Sequence, residues 1–320
     1  MHILVTGASG FVGQALLGRL ALEGQHRLRA AYRSAPAKQL LPKDVEALTI
    51  GELAAETDWT PALKDMETVA HCAARVHVMD DTAADPLSEF RRVNVAGTLA
   101  LARQAQEAGV KRFIFISSIK VNGESTEPGR PYTAEDAPAP SDPYGISKME
   151  AEQALMALAR TGGMEVVVIR PVLVYGPGVK ANFLSMMRWL DKGLPLPLGG
   201  IERNRRSLVA LDNLVDLIHV CLSHPCAAGQ VFLASDGEDL STTQMLRRLG
   251  RALGKSPALL PIPTSWLKAA ARLAGKPTIA QRLCGSLQVD ISKNRELLGW
   301  TPPSSVDEAF RKTADAYRRP

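Results

Sequence analysis

The sequence lacks the features of a disulfide-linked or cysteine-ligated metal protein. It has four cysteines in 320 residues, and they are Cys72, Cys221, Cys226 and Cys284. None forms a C-x-x-C pair or a cluster with nearby histidines, so we expect no metal site. Unpaired cysteines in a chain of this size are typical of a reducing compartment, and we expect a cytoplasmic protein.

Long hydrophobic runs are also missing. The chain opens with "MHILVTG", directly in an apolar strand pattern and without the charged start of a signal peptide. No apolar run approaches the about 20 residues that a membrane-spanning helix needs. We therefore expect no signal peptide and no integral membrane segment.

Aromatic residues are scarce, at 5% of the chain, and the net charge is +5. Nucleic-acid surfaces combine basic clusters with interleaved aromatic residues, and the sequence does not have this pattern. We expect no nucleic-acid partner. An anionic small molecule explains the positive charge equally well.

What the sequence does have is an alternation of strand and helix patterns. Apolar runs that predict strands occupy residues 2–6, 27–32, 47–50, 68–73, 112–117, 165–170 and 230–234. Longer helical patterns, such as "GQALLGRLALEG" and "FRRVNVAGTLALARQAQEAG", separate several of them. This alternation predicts an α/β fold with a doubly wound parallel sheet of the Rossmann type.

The pattern changes after about residue 170, where loops and prolines become frequent. We predict two domains that the chain enters in turn. Residues 1–172 with about 207–236 would form a nucleotide-binding Rossmann domain. Residues about 173–206 with 237–320 would form a smaller C-terminal substrate-binding domain.

The turn after the first strand carries a phosphate-binding pattern. Glycines allow a tight turn and let backbone N–H groups approach a pyrophosphate, and the third glycine permits close packing of helix on strand. A plain strand-turn-helix is the alternative, but the position in an α/β chain favours a dinucleotide site. The candidate residues in "TGASGFVG" are Gly7, Ser9, Gly10, Phe11, Val12 and Gly13.

The end of the second strand indicates which dinucleotide binds. NAD sites typically have Asp or Glu about 20 residues after the glycines, for the ribose 2′-hydroxyl. Here that position is Arg33, and no acid occurs between Glu23 and Asp44. A guanidinium group suits a 2′-phosphate, so we favour NADPH (NADP) as cofactor over NAD. An exposed charge at a strand end is the alternative.

The stretch "SDPYGISKMEAE" has Tyr144 and Lys148 one helical turn apart, behind an Asp-Pro helix start. A free tyrosine titrates near pH ~10, and a neighbouring ammonium group and an oxidised nicotinamide favour the phenolate and lower that pKa. "FIFISSIK" supplies Ser117 and Ser118 at the end of a predicted strand, where doubly wound sheets bind ligands. Simple packing is the alternative for the helix pair.

Together, "TGASGFVG", "FISSIKVNG" and "YGISK" resemble the signatures of the short-chain dehydrogenase/reductase superfamily. The length and "IRPVLVYGPG" resemble its extended branch, which acts on nucleotide sugars. The resemblance implies an NAD(P)-dependent enzyme with Ser118 as the catalytic hydroxyl, Tyr144 as acid/base and Lys148 as the assisting lysine. Ser117 is the less favoured hydroxyl. The resemblance also implies a homodimer.

Further site residues follow from the same resemblance. Cofactor contacts are implied for Arg33, Glu52, Leu53, Ala73, Ala74, Arg75, Asn94, Tyr144, Lys148 and Pro171. Contacts with a UDP-sugar substrate are implied for Ser118, Asn182, Leu196, Arg206 and Asp290. Arg206 suits a diphosphate because guanidinium groups fork onto phosphate oxygens, and surface ion pairs are the alternative for Arg206 and Asp290. The sequence departs from the family pattern at two positions: Leu173 stands where relatives commonly have an asparagine, and Leu287 where they have an arginine. Arg282 is a substitute for that arginine.

Three reactions of this branch compete. Dehydratases need an acidic pair after the catalytic hydroxyl, and Ile119 and Lys120 stand there instead, so we set dehydratase aside. Arg33 favours a reductase, and "SSIKVNGE" with "AARVHVM" resembles bacterial enzymes of surface-polysaccharide synthesis. We expect NADPH-dependent reduction of the C4 keto group of a UDP-linked deoxy-N-acetylamino sugar, giving UDP-N-acetylquinovosamine or UDP-N-acetylfucosamine. The alternatives are an NAD-dependent UDP-hexose 4-epimerase and, less favoured, a non-catalytic NADP-binding regulator.

Overall fold

The computed structural model describes residues 1–36, 42–76, 85–275 and 277–319. The strands in these ranges are β1 His2–Thr6, β2 Arg27–Tyr32, β3 Val45–Thr49, β4 Thr68–His71, β5 Arg112–Ile116, β6 Glu165–Pro171, β7 Leu173–Tyr175, β8 Arg206–Ala210, β9 Val231–Ala234 and β10 Asp239–Leu240. The helices are α1 Phe11–Glu23, α2 Thr60–Leu63, α3 Pro86–Phe90, α4 Thr98–Glu107, α5 Pro143–Gly162, α6 Ala181–Asp191, α7 Leu211–Ser223, α8 Thr242–Ala252, α9 Thr264–Leu273, α10 Pro277–Cys284, α11 Ser292–Leu298 and α12 Val306–Arg318.

Seven parallel strands form the larger sheet, in the order β3-β2-β1-β4-β5-β6-β9. The chain builds outward from β1 in one direction as far as β3 and then in the other direction from β4. The strand order therefore reverses between β1 and β4, and α/β sheets bind ligands in the crevice at such a point. The predicted doubly wound Rossmann sheet is confirmed.

Helices cover both faces of this sheet, which explains the continuous apolar runs of its strands. Every residue of β4 and β5 is buried. On one face, α1 and α7 pack into a core through residues such as Leu16 and Leu217. On the other face, α4 and α5 contribute residues such as Leu101 and Leu155.

A second, three-stranded sheet has the order β10-β8-β7 and was not predicted from the sequence. It packs with α6, α8 and α12 around a separate core that contains Tyr175, Phe183 and Phe310. β8 leads directly into α7, which packs on α1 of the larger sheet. The division into two domains at the predicted boundaries stays a prediction.

Candidate functional site

The turn after β1 packs its glycines closely against neighbouring backbone. Gly7 has a φ of +66°, and a Cβ there would lie 2.6 Å from the backbone nitrogen of Ala73. A Cβ at Gly13 would lie 2.2 Å from the carbonyl oxygen of Gly7, so α1 packs directly on the turn. Gly10 caps α1 without a side chain, which leaves the N–H groups of the first helical turn for an anion. This cradle fits a pyrophosphate. Of the other candidates, Ser9 lies in the turn, and Phe11 and Val12 begin α1.

Arg33 follows β2 directly and is exposed. Because Ala31 pairs with Thr6 of β1, Arg33 lies at the same sheet edge as the glycine turn. Within the described ranges, no carboxylate forms an ion pair with its guanidinium group. Glu52 and Leu53 follow β3 at this edge, and Glu52 is exposed. An anionic group bound at this edge of the sheet could contact the exposed Arg33 side chain.

Asn94 ties the loop after β4 to α5. Its amide nitrogen donates to the carbonyl oxygen of Arg75 and to the hydroxyl of Ser147, both at 3.0 Å. Its carbonyl oxygen accepts from the Arg75 N–H at 2.8 Å. Asn94 lies in a π-helical turn, Arg91–Gly97, and such turns are frequent at functional sites. The loop also contains the half-buried candidates Ala73 and Ala74.

The start of α5 positions Tyr144 and Lys148. The carboxylate of Asp142 caps the helix by accepting from the Gly145 N–H at 2.7 Å, and Pro143 takes the first helical position. Tyr144 is therefore in the first turn and Lys148 in the second, on the same side of the helix. The helix start agrees with the one predicted from the sequence.

Ser118 follows β5 by two residues, and its hydroxyl interacts with the phenol of Tyr144 and lowers the pKa of Tyr144. The Ser118 oxygen also accepts from the Lys120 N–H at 3.2 Å. Ser117 is buried, and its hydroxyl has no hydrogen-bond partner in the described part of the chain. The geometry thus pairs Tyr144 with Ser118 and leaves Ser117 outside the pair.

Lys148 is 2% exposed. Its ammonium group donates to the carbonyl oxygen of Ile116 at 2.8 Å and lies 4.3 Å from the centre of the Phe115 ring. Burial lowers the pKa of Lys148 to about 8, while the charge of Glu152 acts in the opposite direction. The amine therefore carries its proton in most molecules at pH 7.

The pKa of Tyr144 is shifted upward, whereas the sequence led us to expect a downward shift. Burial raises the pKa of Tyr144 to about 12, the charge of Asp142 raises it as well, and the hydrogen bond with Ser118 lowers it in part. Desolvation of the phenolate is the largest effect, and the Lys148 ammonium group is held by the Ile116 carbonyl instead. Lys148 is not among the groups that set the pKa of Tyr144 here. That Lys148 and an oxidised nicotinamide together lower this pKa stays a prediction.

A buried ion pair one turn beyond Lys148 was missed. The Nε of Arg170 donates to Oε1 of Glu152 at 3.0 Å, and its Nη1 donates to Oδ1 of Asn122 at 2.9 Å. Arg170 is 4% exposed and Glu152 is 5% exposed. The network joins α5, β6 and the segment after β5. The signal in the sequence was an arginine inside the apolar run "EVVVIRP", because a buried guanidinium group needs a partner.

The predicted substrate contacts lie on separate segments. Pro171 ends β6 and is buried, Asn182 is exposed in the first turn of α6, and Leu196 is half-buried and bridges to Leu259. The carboxylate of Asp290 accepts from the Ser292 N–H at 2.7 Å. Asp290 thus stabilises the local chain before α11.

Arg206 is held by backbone carbonyl groups. Its Nη1 donates to the carbonyl oxygens of Arg282 at 2.9 Å and Gly285 at 3.3 Å. Burial lowers the pKa of Arg206, and the charge of Arg282 lowers it further. Among the residues that the structure describes, neither Arg206 nor Asp290 forms an ion pair. Two neighbouring guanidinium groups without a carboxylate fit an anionic ligand.

One group of described residues could ligate a metal ion, and it lies away from these candidates. Ligand atoms of Glu23, His26 and His219 are all within 4.8 Å of one another. Glu23 already pairs with Arg19 at 2.7 Å and with His219 at 3.0 Å. Glu23 ends α1, His26 precedes β2 and His219 is in α7, so the group lies at the sheet edge opposite the glycine turn. In the described ranges, no helix combines the length and apolar character that a bilayer crossing requires.

Comparisons with known proteins identify relatives over the whole chain. The model of the NAD-dependent epimerase/dehydratase family matches residues 3–234. A Vibrio cholerae protein named UDP-glucose 4-epimerase is 53% identical over 315 residues, which cover 98% of this chain and 95% of that protein.

Solved structures share the fold. The UDP-glucuronic acid 4-epimerase of Bacillus cereus in complex with NAD is 22% identical, with a TM-score of 0.80 over 100% of this chain and 97% of that chain. The UDP-glucose 4-epimerase of Thermotoga maritima with UDP-glucose is 23% identical, with a TM-score of 0.78 over 100% of this chain and 99% of that chain. The family match and the full-length relative establish that the chain belongs to the NAD-dependent epimerase/dehydratase family, as an NAD(P)-dependent oxidoreductase-type enzyme of the extended short-chain dehydrogenase/reductases.

Proposed function

We propose that the protein is a 4-epimerase of UDP-hexoses. The observation that carries this proposal is the 53% identity, over 98% of the chain, to the Vibrio cholerae protein named UDP-glucose 4-epimerase. It favours the epimerase alternative over the C4 ketoreductase that we expected first from the sequence.

The pair of hydroxyl groups at the end of β5 and the start of α5 supports C4 chemistry. The hydroxyl of Ser118 is near enough to Tyr144 to lower its pKa, so a single sugar oxygen can contact both. In our proposal, Tyr144 exchanges a proton with the C4 oxygen, and Ser118 holds that oxygen in position. Inversion then requires that the 4-keto sugar turn its other face before C4 is reduced again.

The glycine turn and the end of β2 support the cofactor assignment. Gly7, Gly10 and Gly13 would hold the pyrophosphate on backbone N–H groups, and Arg33, Glu52 and Leu53 would lie along the adenosine half. When bound, the nicotinamide supplies the oxidation and the later reduction at C4. Lys148 would hold the adjoining ribose and orient the ring, because its ammonium group lies buried at the end of β5.

The substrate diphosphate is proposed to lie at Arg206 and Arg282. Their charges are close enough to affect each other, and the described residues provide no carboxylate partner for either. Asn182, Leu196 and Asp290 are proposed to line the rest of the nucleotide pocket. Asp290 fits this role least well in the present geometry, since its carboxylate is engaged by Ser292.

Dehydratase chemistry has no support in the site. Ile119, next to Ser118, is 4% exposed and apolar. The ammonium group of Lys120 pairs with Asp142 and with Glu124. The acid and base that eliminate water are therefore missing after the serine.

The test is to incubate the purified protein with UDP-glucose or UDP-galactose, with no added reductant, and to follow the products by NMR. The same incubation with the N-acetylated forms of these two UDP-hexoses shows which sugar the protein accepts as substrate. Interconversion of a C4 epimer pair supports the proposal. Absence of interconversion for all four sugars, with NAD or NADP added, contradicts it.

A C4 ketoreductase is the second candidate, and Arg33 favours it. An exposed arginine without an ion-pair partner among the described residues suits the 2′-phosphate of NADPH, the usual cellular reductant. The discriminating experiment mixes the protein with NADPH and a UDP-4-keto-6-deoxy-N-acetylamino sugar. Consumption of NADPH with formation of UDP-N-acetylquinovosamine or UDP-N-acetylfucosamine, without epimerase activity, would select this candidate.

We also propose a homodimer that packs through α4 and α5. An open groove along these helices supports it, lined by Val95, Leu99, Arg103 and Glu150 among others. Light scattering during size-exclusion chromatography gives the mass. A mass equal to one chain at all concentrations contradicts the proposal.

A further inference from the structure

α9 has no buried residue, although most of its side chains are apolar. Leu267 and Ala271 are half-buried and face the protein. The apolar residues that face solvent are Trp266, Ala269, Ala270 and Leu273. Their spacing of three and four residues puts them on one stripe of the helix. Trp266 is 70% exposed and Leu273 is 91% exposed, so the two largest side chains of the stripe are open to solvent.

Large apolar side chains are also exposed in the segments before and after α9. Leu260 in the preceding segment and Ile279 in α10 are each 48% exposed. Large apolar side chains exposed in neighbouring segments are typical of surfaces that bind a partner. The partner must bury apolar groups.

The positive charge of the protein is concentrated in the part of the chain that contains α9. Residues 240–289 hold eight Lys and Arg and no Asp or Glu. The remaining 270 residues hold 30 of the 38 basic residues and all 33 acidic residues, which gives them a small negative charge. The partner of this region is therefore expected to be anionic.

The two cations of α9 are not neutralised by the protein. Lys268 and Arg272 are exposed and lie one turn apart; Arg272 is next to the Ala269 edge of the apolar stripe, and Lys268 is farther round the helix. Among the residues that the structure describes, no carboxylate pairs with either of them. By contrast, Arg247, Arg248 and Lys255 of the same acid-free region have carboxylate partners.

We propose that α9 binds the surface of a lipid bilayer with anionic headgroups. Trp266 and Leu273 insert at the boundary between headgroups and acyl chains, and Lys268 and Arg272 contact the headgroup phosphates. A short amphipathic helix with tryptophan on its apolar side and cations beside it has the chemistry of an interfacial anchor. The helix lies on the membrane and does not cross it.

Other partners fit the surface less well. In a two-fold dimer through α9, the Lys268 and Arg272 side chains of both copies would approach one another without acids between them. A nucleic acid is anionic, but α9 offers one aromatic side chain, Trp266, and single strands bind on several stacked aromatic residues. The inference does not depend on the proposed reaction.

The test is flotation of the intact protein with vesicles of phosphatidylcholine alone and with about one third phosphatidylglycerol. We expect co-flotation with the anionic vesicles only, and loss of binding as salt rises, because screening weakens the contact of the cations. Tryptophan emission should shift to shorter wavelength on binding, since Trp266 leaves water. Each cation is expected to contribute on the order of fivefold in affinity.

Two double variants identify the surface. Trp266→Ser with Leu273→Ser should lower the affinity for anionic vesicles at least tenfold, and so should Lys268→Gln with Arg272→Gln. Trp189→Ser is the matched control, because Trp189 is 51% exposed on α6, outside the acid-free region. Equal thermal stability of all variants verifies that each is folded. The proposal is overturned by equal binding to neutral vesicles, by no binding to anionic vesicles, by an equal effect of Trp189→Ser, or by a dimer that only the α9 variants dissociate.

Discussion

Tyr144 and Lys148 illustrate what the sequence contains at the scale of single residues. Their types and their spacing predicted the pair and its position on a helix start. Their pKa values could not be predicted, because desolvation depends on how neighbouring elements bury each group. Burial lowers the pKa of Lys148 to about 8, toward neutral pH. It raises the pKa of Tyr144 to about 12, away from neutral pH.

Tyr144→Phe removes the hydroxyl that is proposed to exchange a proton with the C4 oxygen and keeps the ring, whose centre lies 5.9 Å from that of the Phe90 ring. We expect turnover to fall by about 10²–10⁴-fold, the usual contribution of general acid-base catalysis. Dinucleotide binding, measured by fluorescence titration, should change little. The matched control is Tyr317→Phe at the end of α12, which should leave turnover unchanged. Near-normal turnover of Tyr144→Phe would mean that the helix pair only packs.

Lys148 predicts a pH dependence of stability. An unfolded lysine titrates near pH ~10.4, and the folded pKa is lowered to about 8, so between these values the unfolded state binds more protons. The free energy of unfolding should therefore rise with pH in this window. Tyr144 acts in the opposite sense only above pH ~10, where unfolded tyrosine loses its proton but the folded residue keeps it.

Denaturant unfolding at pH 8 and pH 9.5 measures this effect. The stability of the wild type relative to Lys148→Met should rise by on the order of 1–2 kcal/mol between the two pH values. Lys111→Met, at an exposed lysine, is the control and should give no such change. A difference between wild type and Lys148→Met that is independent of pH would contradict the account.

Arg33 gives a prediction about the cofactor. Arg33→Asp should weaken NADPH binding by on the order of 1.5–3 kcal/mol, because a hydrogen bond to a charged phosphate is lost. NADH binding should weaken much less. Arg27→Asp, at the opposite end of β2, is the matched control and should affect neither dinucleotide. Equal losses for NADPH and NADH, measured by fluorescence titration, would remove Arg33 from the cofactor site.

At the scale of elements, the helix start before Tyr144 combines a structural and an electrostatic role. Asp142 caps α5, and its charge raises the pKa of Tyr144. Asp142→Asn keeps a good capping side chain and removes the charge, so the pKa of Tyr144 should fall while stability loses only the ion pair with Lys120. Asp142→Ala should lower the same pKa but also cost about 1 kcal/mol of stability, because the cap is lost.

Ultraviolet absorbance of the tyrosinate, with the Tyr144→Phe protein subtracted, measures the pKa of Tyr144 in these variants. Ser305→Ala removes the cap of α12 and is the control for stability without an electrostatic effect. An unchanged pKa of Tyr144 in Asp142→Asn would show that burial alone sets it.

The larger sheet was predictable because its strands carry long apolar runs, which burial on both faces requires. The predicted strand 68–73 is longer than β4, Thr68–His71, because its last residues form the loop that meets Gly7. The smaller sheet was not predictable, since β7 has three residues, β10 has two, and their pairing joins distant segments. The π-helical turn around Asn94 has no local sequence signal that separates it from an α-helix.

At the scale of the whole molecule, the candidate site groups residues from many parts of the sequence at one sheet edge. The glycine turn after β1, Arg33 after β2, the loop after β4 and Ser118 after β5 all follow the carboxyl ends of parallel strands. The topology predicted this grouping. The buried contact of Glu152 with Arg170 and the position of Arg206 beside Arg282 depend on tertiary packing, and the sequence alone did not predict the ion pair.

The central claim is that Ser118, Tyr144 and Lys148 serve a 4-epimerase of UDP-hexoses. The most direct measurement incubates the protein with UDP-glucose deuterated at C4, without added reductant, and follows the product by NMR. The account predicts UDP-galactose that retains deuterium at C4, because the hydrogen removed from C4 is returned to it. A C4 epimer that has lost the label would contradict the account, and so would the absence of a C4 epimer both from UDP-glucose and from its N-acetylated counterpart deuterated in the same way.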